Sequence, residues 1–488
     1  MSAVRVASIV EALSRAGLLT SQHGTPPQII SSISDDTRTM EHGALFLAVR
    51  GAEHDGHAYL PEAEKRGAAL AIVDDPSSTA LPTLVVSESR RAASIAAAAF
   101  FGEPAKSLRM AGVTGTNGKT TTVGMLRHLL DEPGAPSASI GTLGVLVGSG
   151  GEEIPGGAGL TTPGPVELQR LLRTLLDRGV ATVAMETSSH ALHQRRVDGL
   201  RFEAGVFTNL SRDHLDYHVS MDAYLNAKAL LIGLLAAQGT AVINADDAAW
   251  RALPPAPRTI HFATESGAEV VAEDIRFTPK GSAWTLVIGS HSNRVTLPLI
   301  GDFNISNALG AAGAAWAMGV APATIADRLS SLPQVPGRLE LIAEEPTVLR
   351  DYAHTPDALE RALDAVRPFT TGSLIVVFGC GGDRDKGKRP EMGRIAASKA
   401  DVAIVTSDNP RTEDPAAIID DIEKGMQTPH ERIEDRREAI ARALQLAAPG
   451  DVVMLAGKGH ETYQIRGTVK YPFDERAIVR EIIAEEVA

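Results

Sequence analysis

One short glycine-rich segment constrains the fold of this chain more than any other feature. It runs Gly-Thr-Asn-Gly-Lys-Thr from 115 to 120, between an apolar stretch at 108–113 and apolar residues at helical spacing. A strand, such a turn and a helix together form a phosphate-binding loop, in which backbone N–H groups face the phosphate. Lys119 would supply a charge for the terminal phosphates and Thr120 a hydroxyl for Mg²⁺. The alternative is an ordinary glycine turn.

Bulk composition narrows the classes of partner. The 488 residues carry a formal net charge of -13, which argues against a nucleic-acid partner held by phosphate neutralisation. A single cysteine, Cys380, excludes an intrachain disulfide and fits a reducing compartment. We find no apolar run typical of a signal peptide or a membrane span. The expectation is a cytoplasmic protein without membrane insertion.

The rhythm of apolar segments predicts an α/β fold with three domains. The predicted limits are 1–107 for an N-terminal α/β domain, 108–335 for a central parallel sheet with the phosphate loop, and 336–488 for a C-terminal doubly wound, Rossmann-like domain. A proline-rich segment at 331–337 marks the second boundary. Within the central domain we expect a glycine-rich loop over 148–159 and an added sheet around 270–299.

Four segments together indicate a family. The loop has Val113 where the strict phosphate-loop pattern has glycine, and it is followed in order by segments 185–190 (Met-Glu-Thr-Ser-Ser-His), 208–218 (Thr-Asn-Leu-Ser-Arg-Asp-His-Leu-Asp-Tyr-His) and 227–228 (Ala-Lys). This combination resembles the Mur ligase family, ATP-dependent amide-forming ligases of cell-wall synthesis, over nearly the whole chain. The resemblance implies an acyl phosphate intermediate and a monomeric enzyme that acts on small molecules.

The resemblance also implies residues for ATP and metal. The implied ATP site comprises Gly115, Thr116, Asn117, Gly118, Lys119, Thr120, Thr121, Asn304, Asn307, Arg338, Asp351 and His354. The implied Mg²⁺ ligands are Thr120, Glu186, His214 and Lys228, the last as a carbamate formed with CO₂. Lys119, Glu186, His214 and Lys228 are the predicted catalytic residues. Taken without the resemblance, Glu186 reads as a salt-bridged strand end, His214 as a capping or core histidine, and Lys228 as a surface lysine.

A second set of residues is similar to the nucleotide-sugar site of one branch of the family. That branch acts on UDP-N-acetylmuramoyl-L-alanyl-D-glutamate, and its positions fall here on Asp35, Thr37, Thr161, Thr162, Ser188, Gln194 and Arg196. The guanidinium of Arg196 suits a carboxylate or a phosphate because it can donate two parallel hydrogen bonds. The alternatives are a surface turn at 34–38 and a surface arginine.

The third domain is expected to choose the amino acid. Charged or glycine-rich loops follow three predicted strands, and the resemblance assigns Arg384, Asp408, Asn409, Pro410, Arg411, Gly457 and Glu461 to meso-diaminopimelate. Two guanidinium groups suit carboxylates and Glu461 suits an ammonium, which matches an amino acid whose far end is zwitterionic. A lysine-adding or polyglutamate-adding ligase, and a phosphate-loop regulator without catalysis, are the alternatives. Cys380 is expected to be a small buried residue.

Overall fold

Three large β-sheets, of five, eleven and six strands, account for most strands of the described chain. The structure is a computed structural model that describes residues 4–51, 54–76, 79–157, 159–264, 267–278 and 280–487. The chain divides into two compact units, the first of residues 1–272, 286–293 and 306–328 and the second of residues 273–285, 294–305 and 329–488.

The N-terminal region is a five-stranded sheet in the order β2-β7-β6-β5-β4, with β2 antiparallel to β7 and the other neighbours parallel. Alanines of α3 are buried in its core, where their small side chains allow close packing. The strands of the sheet, with a separate antiparallel pair of β1 and β3, are β1 (Val4–Arg5), β2 (Leu19–His23), β3 (Ile29–Ile30), β4 (Ile33–Ser34), β5 (Leu45–Leu47), β6 (Leu70–Val73) and β7 (Thr83–Val86). The helices are α1 (Val6–Arg15), α2 (Leu60–Lys65) and α3 (Ser89–Phe100).

The central region forms the eleven-stranded sheet, in the order β11-β10-β9-β12-β8-β13-β14-β15-β16-β17-β18. Its strands are β8 (Arg109–Thr114), β9 (Ser137–Gly141), β10 (Gly144–Val147), β11 (Glu152–Ile154), β12 (Thr182–Glu186), β13 (Phe202–Phe207), β14 (Leu235–Asn244), β15 (Arg258–Ala263), β16 (Val270–Thr278), β17 (Gly281–Ile288) and β18 (His291–Leu297). Its helices are α4 (Lys119–Leu129), α5 (Pro165–Asp177), α6 (Ser189–His193), α7 (Leu215–His218), α8 (Met221–Ala229), α9 (Asp302–Ala317) and α10 (Pro322–Ser330).

The run from β9 through β12, β8, β13 and β14 to β15 is parallel. Parallel strands end at one edge of a sheet, so the loops that follow β8, β12 and β13 meet there. The register places Glu186, the last residue of β12, opposite Val113 of β8. The phosphate loop and Glu186 therefore lie at the same edge.

The C-terminal region is a six-stranded sheet in the order β19-β20-β24-β21-β22-β23, parallel except at β19. Its strands, with a separate two-stranded hairpin of β25 and β26, are β19 (Glu340–Ala343), β20 (Thr347–Asp351), β21 (Leu374–Phe378), β22 (Val402–Val405), β23 (Glu431–Arg432), β24 (Val452–Ala456), β25 (Tyr463–Arg466) and β26 (Val469–Pro472). Its helices are α11 (Pro356–Val366), α12 (Lys388–Lys399), α13 (Pro415–Glu423), α14 (Arg436–Leu446) and α15 (Glu475–Val487).

The α/β class and the doubly wound C-terminal sheet confirm the prediction, and the three domain limits stay a prediction. The expected glycine-rich loop over 148–159 was wrong in part, because β11 lies within it and pairs with β10, where Ile154 is buried opposite Val145. Ala158 of that segment lies outside the described residues. Among the residues that the structure describes, no helix is long and apolar enough to cross a membrane.

Candidate active site

The phosphate loop joins β8 to α4 in a conformation that requires glycine. Gly118 has a φ of 83°, and a Cβ at this position would overlap Oδ1 of Asn307. Gly115 has a φ of 150°, and a Cβ there would overlap Oγ1 of Thr208. The structure thus brings the predicted residue Asn307 against the loop.

Partners from the segment 208–218 hold the loop from outside. The N–H of Asn117 donates to Oδ1 of Asn209 over 2.9 Å, and the hydroxyl of Thr116 donates to the carbonyl of Ser211 over 3.1 Å. Thr120 and Thr121 follow in the first turn of α4. Two motifs that are separate in sequence therefore form one structure around the loop.

Two lysines converge on the loop's first carbonyl. Lys119 donates from Nζ to the carbonyls of Gly115, over 3.0 Å, and Thr116, over 2.8 Å. Lys228 donates to the same Gly115 carbonyl over 2.7 Å and lies 4.2 Å above the ring of Tyr224. Burial, together with the charge of Lys119, lowers the pKa of Lys228 well below its usual value. The surface-lysine interpretation of Lys228 is wrong, because the side chain is only 1% exposed.

Glu186 presents its carboxylate at the end of β12. It is buried, and Oε1 accepts a hydrogen bond from the N–H of Thr142 over 2.8 Å. A Cβ at Gly141 would overlap this carboxylate, so only glycine fits at this position. Sequence reasoning missed Thr142 and Gly141, which lie beyond any motif in the chain.

His214 lies directly before α7 with a φ of 52°, and its Nε2 is 3.4 Å from Oδ2 of Asp213. Burial lowers its pKa, Asp213 opposes that shift, and the charges of Lys119 and Lys228 add to it. The ring centres of His214 and Tyr224 lie 6.1 Å apart, and Lys228 lies over the same Tyr224 ring. The imidazole is therefore largely neutral near pH 7, the state in which it binds metal.

The donor set fits a magnesium ion better than a metal held by protein alone. The described residues contain no cluster of three or more His, Cys, Asp or Glu side chains that could hold a metal. Mg²⁺ commonly takes few protein ligands and completes its shell with water and substrate phosphates. A threonine hydroxyl at Thr120, the carboxylate of Glu186 and the imidazole of His214 beside a phosphate loop are consistent with such a site.

The residues predicted for the muramoyl dipeptide are joined by hydrogen bonds. Oγ1 of Thr162 donates to the carbonyl of Glu186 over 2.8 Å and accepts from the N–H of Ser188 over 3.1 Å. Arg196 donates to the carbonyl of Thr162 over 3.0 Å and to Oε1 of Gln194 over 2.6 Å. This network therefore runs from the candidate metal carboxylate to a guanidinium.

The other residues predicted for this substrate lie on either side of the network. Thr161 accepts a hydrogen bond from the Thr142 hydroxyl over 3.4 Å. Asp35 is exposed and within electrostatic reach of Arg196, and a Cβ at Gly164 would lie 3.7 Å from its Oδ2. Thr37 is buried in the same N-terminal turn. The structure thus brings Asp35 to the substrate residues of the central region.

Tyr217 is a missed member of the network. Its hydroxyl accepts from Nε2 of Gln194 over 3.2 Å and lies 2.9 Å from Nδ1 of His193. The residue belongs to the motif at 208–218, which was the available signal for it.

Arg338, Asp351 and His354, predicted for the nucleotide, lie next to Tyr352 in the second unit. The guanidinium of Arg338 lies 5.2 Å from the ring centre, and the rings of His354 and His460 lie at 4.7 and 5.4 Å. Asp351 accepts from the N–H of Leu339 over 2.7 Å. Burial raises the pKa of Asp351, and the charge of Arg338 opposes that shift. The cluster offers an aromatic face beside cationic and anionic groups.

Asn304 lies within α9 and is buried, and its amide donates to the carbonyl of Ile300 over 2.7 Å. Its part in nucleotide binding stays a prediction.

The residues predicted for diaminopimelate meet at the carboxyl edge of the C-terminal sheet. A Cβ at Gly381 would lie 2.9 Å from Nη1 of Arg411 and 3.9 Å from Cγ of Arg384, so both side chains flank this glycine. Arg411 has a φ of 51° and donates to the carbonyl of Gly382 over 2.8 Å. The side chains of Arg384 and Arg411 thus come from adjacent loops, and the Arg384 guanidinium donates to the carbonyl of Asp383 over 3.1 Å.

Two anionic residues, Asp408 and Glu461, lie at the same edge of the sheet. Asn409 donates from Nδ2 to Oε2 of Glu461 over 2.8 Å, and a Cβ at Gly457 would lie 3.5 Å from Oδ2 of Asp408. Pro410 follows Asn409, and its carbonyl closely approaches Gly382. Cys380 is buried as predicted, with its Sγ 3.6 Å from Sδ of Met392.

Comparison with known proteins agrees with this arrangement. Residues 29–115 match the Mur ligase family catalytic domain, residues 113–315 the Mur ligase middle domain, and residues 337–459 the Mur ligase glutamate ligase domain. A relative from Geobacillus kaustophilus, UDP-N-acetylmuramoyl-L-alanyl-D-glutamate--2,6-diaminopimelate ligase, is 44% identical over 95% of this chain and 96% of its own. A protein of the same name from Gloeobacter violaceus is 44% identical over 97% of this chain and 98% of its own.

A solved structure of a UDP-N-acetylmuramoyl-L-alanyl-D-glutamate--2,6-diaminopimelate ligase is also similar. It covers 100% of both chains with a TM-score of 0.72 and 33% identity. The chain therefore belongs to the Mur ligase family. It is an ATP-dependent ligase that forms amide bonds.

Proposed function

We propose that this protein joins meso-diaminopimelate to UDP-N-acetylmuramoyl-L-alanyl-D-glutamate, with cleavage of ATP, during synthesis of peptidoglycan precursors. The identity to relatives of that name supports the substrate pair. The observation that carries the choice of amino acid is the pairing of Arg384 and Arg411 around Gly381, with Glu461 held by Asn409 nearby. Two guanidinium groups match two carboxylates, and Glu461 matches an ammonium.

The reaction has two steps. The side-chain carboxylate of the D-glutamate attacks the γ-phosphorus of ATP, which gives an acyl phosphate and releases ADP. The uncharged amine of diaminopimelate then attacks the acyl carbon, the amide forms, and phosphate leaves with its bonding electrons while the amine loses a proton. Lys119 stabilises the charge on the transferring phosphoryl group, and Arg196 orients the dipeptide carboxylate.

Mg²⁺ would be held by Thr120, Glu186, His214 and Lys228. Bound there, it would neutralise charge on the phosphates as the carboxylate approaches. The protein groups arrange the site without it, since Thr142 orients Glu186 and Gly115 accepts from Lys228.

Lys228 would take part as a carbamate. A buried amine with a depressed pKa keeps its lone pair at neutral pH, so Nζ can attack CO₂ and lose a proton to give an N-carboxylate. That change converts a neutral amine beside Lys119 into an anion, which the charge of Lys119 would stabilise. Incubation with ¹³CO₂ should give a carbamate carbon signal that disappears in Lys228→Met and persists in Lys106→Met; equal signals in both variants would refute it.

The domain limits 1–107, 108–335 and 336–488 are proposed to carry the nucleotide sugar, ATP and the amino acid. The nucleotide substrates support a cytoplasmic location, and the enzyme is proposed to act as a monomer.

Phosphate release from ATP tests the proposed function directly. The protein is supplied with UDP-N-acetylmuramoyl-L-alanyl-D-glutamate and, in turn, with meso-diaminopimelate, lysine, glutamate or no amino acid. We expect sustained release with diaminopimelate only, and a fall on the order of 10³-fold or more in Lys119→Ala because a transition-state charge is lost. Greater turnover with lysine or glutamate would assign the chain to another branch.

A further inference from the structure

Lys458 has a buried ammonium group that the proposed reaction does not use. It lies in the loop after β24, and its side chain is 0% exposed, although a lysine is almost never fully buried unless it is paired. Its Nζ lies 3.1 Å from Oδ1 of Asn409, 3.3 Å from Oε2 of Glu461 and 3.5 Å from Oδ1 of Asp408. All three neighbours belong to the set proposed to bind diaminopimelate.

The ammonium and the backbone N–H of Ile465 together fix which way the amide of Asn409 points. Oδ1 of Asn409 accepts from the N–H of Ile465 over 2.9 Å as well as from Lys458, and both of these groups can only donate. The amide nitrogen must therefore face Glu461, to which it donates over 2.8 Å. Lys458 and Asn409 both bond Oε2 of Glu461. No hydrogen bond from the described part of the chain reaches the other carboxylate oxygen, so that oxygen can receive a ligand's ammonium.

The same ammonium sets the charge of the amino-acid site. Among the five charged residues assigned to the amino acid or bound to them here, Lys458, Arg384 and Arg411 are cationic and Asp408 and Glu461 are anionic, so Lys458 supplies the excess positive charge of this set. The far end of diaminopimelate is zwitterionic, with no net charge, whereas the far end of lysine is a lone cation. A site with an excess positive charge disfavours the lysine end.

We propose that Lys458 is a positioning and specificity-determining residue, which orients Asn409 and Glu461 and keeps the site positive enough to prefer a zwitterionic amino-acid end over a cationic one. This inference rests on the proposed function. It adds a second source of selectivity to the two arginines, because Lys458 acts through its neighbours and lies out of the ligand's reach.

The experiment compares wild type, Lys458→Met and Lys458→Arg in the phosphate-release assay. In Lys458→Met we expect the KM for diaminopimelate to rise about 30-fold or more, as is typical when one partner of a buried charge pair is truncated. The KM values for ATP and for the UDP-substrate should stay within about twofold of wild type, and kcat/KM for diaminopimelate over lysine should fall by about tenfold or more. Lys458→Arg should retain the preference because it keeps the charge.

Lys424→Met is the matched control, since Lys424 is an exposed lysine that forms a local ion pair with Asp421, three residues before it. It should leave all KM values unchanged. A Lys458→Met enzyme with an unaltered diaminopimelate-to-lysine ratio, or with all three KM values raised together, would overturn the proposal. If Lys458→Met does not fold, a folded Lys458→Arg that loses the preference would overturn it, and one that retains the preference supports it. A wild type without preference for diaminopimelate would instead refute the proposed function.

Discussion

At the scale of single residues, several residues in or beside the candidate site have a left-handed backbone conformation. Among the described residues other than glycine, His214, Arg411 and Arg195 have φ values of 52°, 51° and 60°. Such a conformation costs of the order of 1–3 kcal/mol at a residue with a Cβ, and it persists where surrounding contacts hold it. His214 is a predicted metal ligand and Arg411 a predicted substrate residue, so at these two positions a strained backbone aims a side chain of the site. The same conformation also occurs at described residues outside the predicted set, among them Glu103, Val219 and Asp274.

Gly118→Ala tests the phosphate loop at this scale. An alanine at this position would have to adopt a φ of 83°, and its methyl group would overlap Asn307. We expect the KM for ATP to rise by about tenfold or more, because the loop must shift away from the phosphates. Gly124→Ala is the control, since Gly124 lies within α4 and a Cβ there meets nothing within 4 Å. It should keep the KM and raise stability by up to about 1 kcal/mol in urea unfolding. Equal KM values for both variants would contradict the role of the loop geometry.

At the scale of elements, helix α3 of the N-terminal region supports the turn that carries Gln194 and Arg196. The hydroxyl of Ser94, which is fully buried, donates to the carbonyl of Arg195 over 2.6 Å. Two ion pairs join the same parts, Arg91 with Asp198 at 3.4 Å and Glu88 with Arg195 at 3.7 Å. Arg195 lies between Gln194 and Arg196, which are predicted to bind the substrate. Helix α3 therefore helps to position these two residues, although α3 itself contributes no predicted ligand.

Ser94→Ala should therefore affect binding of the UDP-substrate. We expect its KM to rise about three- to tenfold, since a lost buried hydrogen bond of about 1–2 kcal/mol loosens the turn, with the KM for ATP unchanged. Thr174→Ala is the control, because that exposed hydroxyl donates within its own helix to the carbonyl of Arg170 over 3.0 Å. Steady-state kinetics with each substrate varied in turn decides the point. A Ser94→Ala enzyme with wild-type KM values would show that α3 does not position Arg196.

At the scale of the whole molecule, the single thiol can report unfolding. Cys380 lies buried in the second unit, and burial raises the pKa of its thiol to about 12. The thiolate is the reactive form of cysteine, and the pKa of an unfolded cysteine is about 8.5. Cys380 should therefore become reactive at pH 8 only when the chain opens.

We expect no reaction of native protein with a thiol reagent at pH 8, and complete reaction in denaturant. The labelling rate should rise across the urea transition of the second unit, measured by mass spectrometry. Cys380→Ala combined with Ser398→Cys is the control, because Ser398 is an exposed position on α12 and should label at once in native protein. Rapid labelling of native Cys380 would contradict its burial.

Local patterns were sufficient for the fold class, and the candidate residues were predicted from the resemblance that the motifs carry. Strand, turn and helix periodicity predicted β8, α4 and the three C-terminal strands β21, β22 and β24, because hydrophobic spacing is a property of neighbouring residues. The contiguous motifs at 115–120, 208–218 and 408–411 named the residues that now lie at the sheet edges. Strand β11 was missed, because three residues in a glycine-rich segment have too little pattern and their pairing with β10 is a tertiary effect.

The sequence by itself determined that a phosphate loop, a family motif set and an α/β rhythm exist in this chain, since each depends on residues close together along it. Only the tertiary structure decided which distant groups meet. It placed Lys228 on the carbonyl of Gly115, Glu186 against Gly141, and Lys458 between Asn409 and Glu461. The physical reason is that burial and charge pairing depend on distance in space, and the parallel strand order brings the ends of separate segments to one edge. A lysine that reads as a solvated side chain in sequence can thereby become a buried amine with altered chemistry.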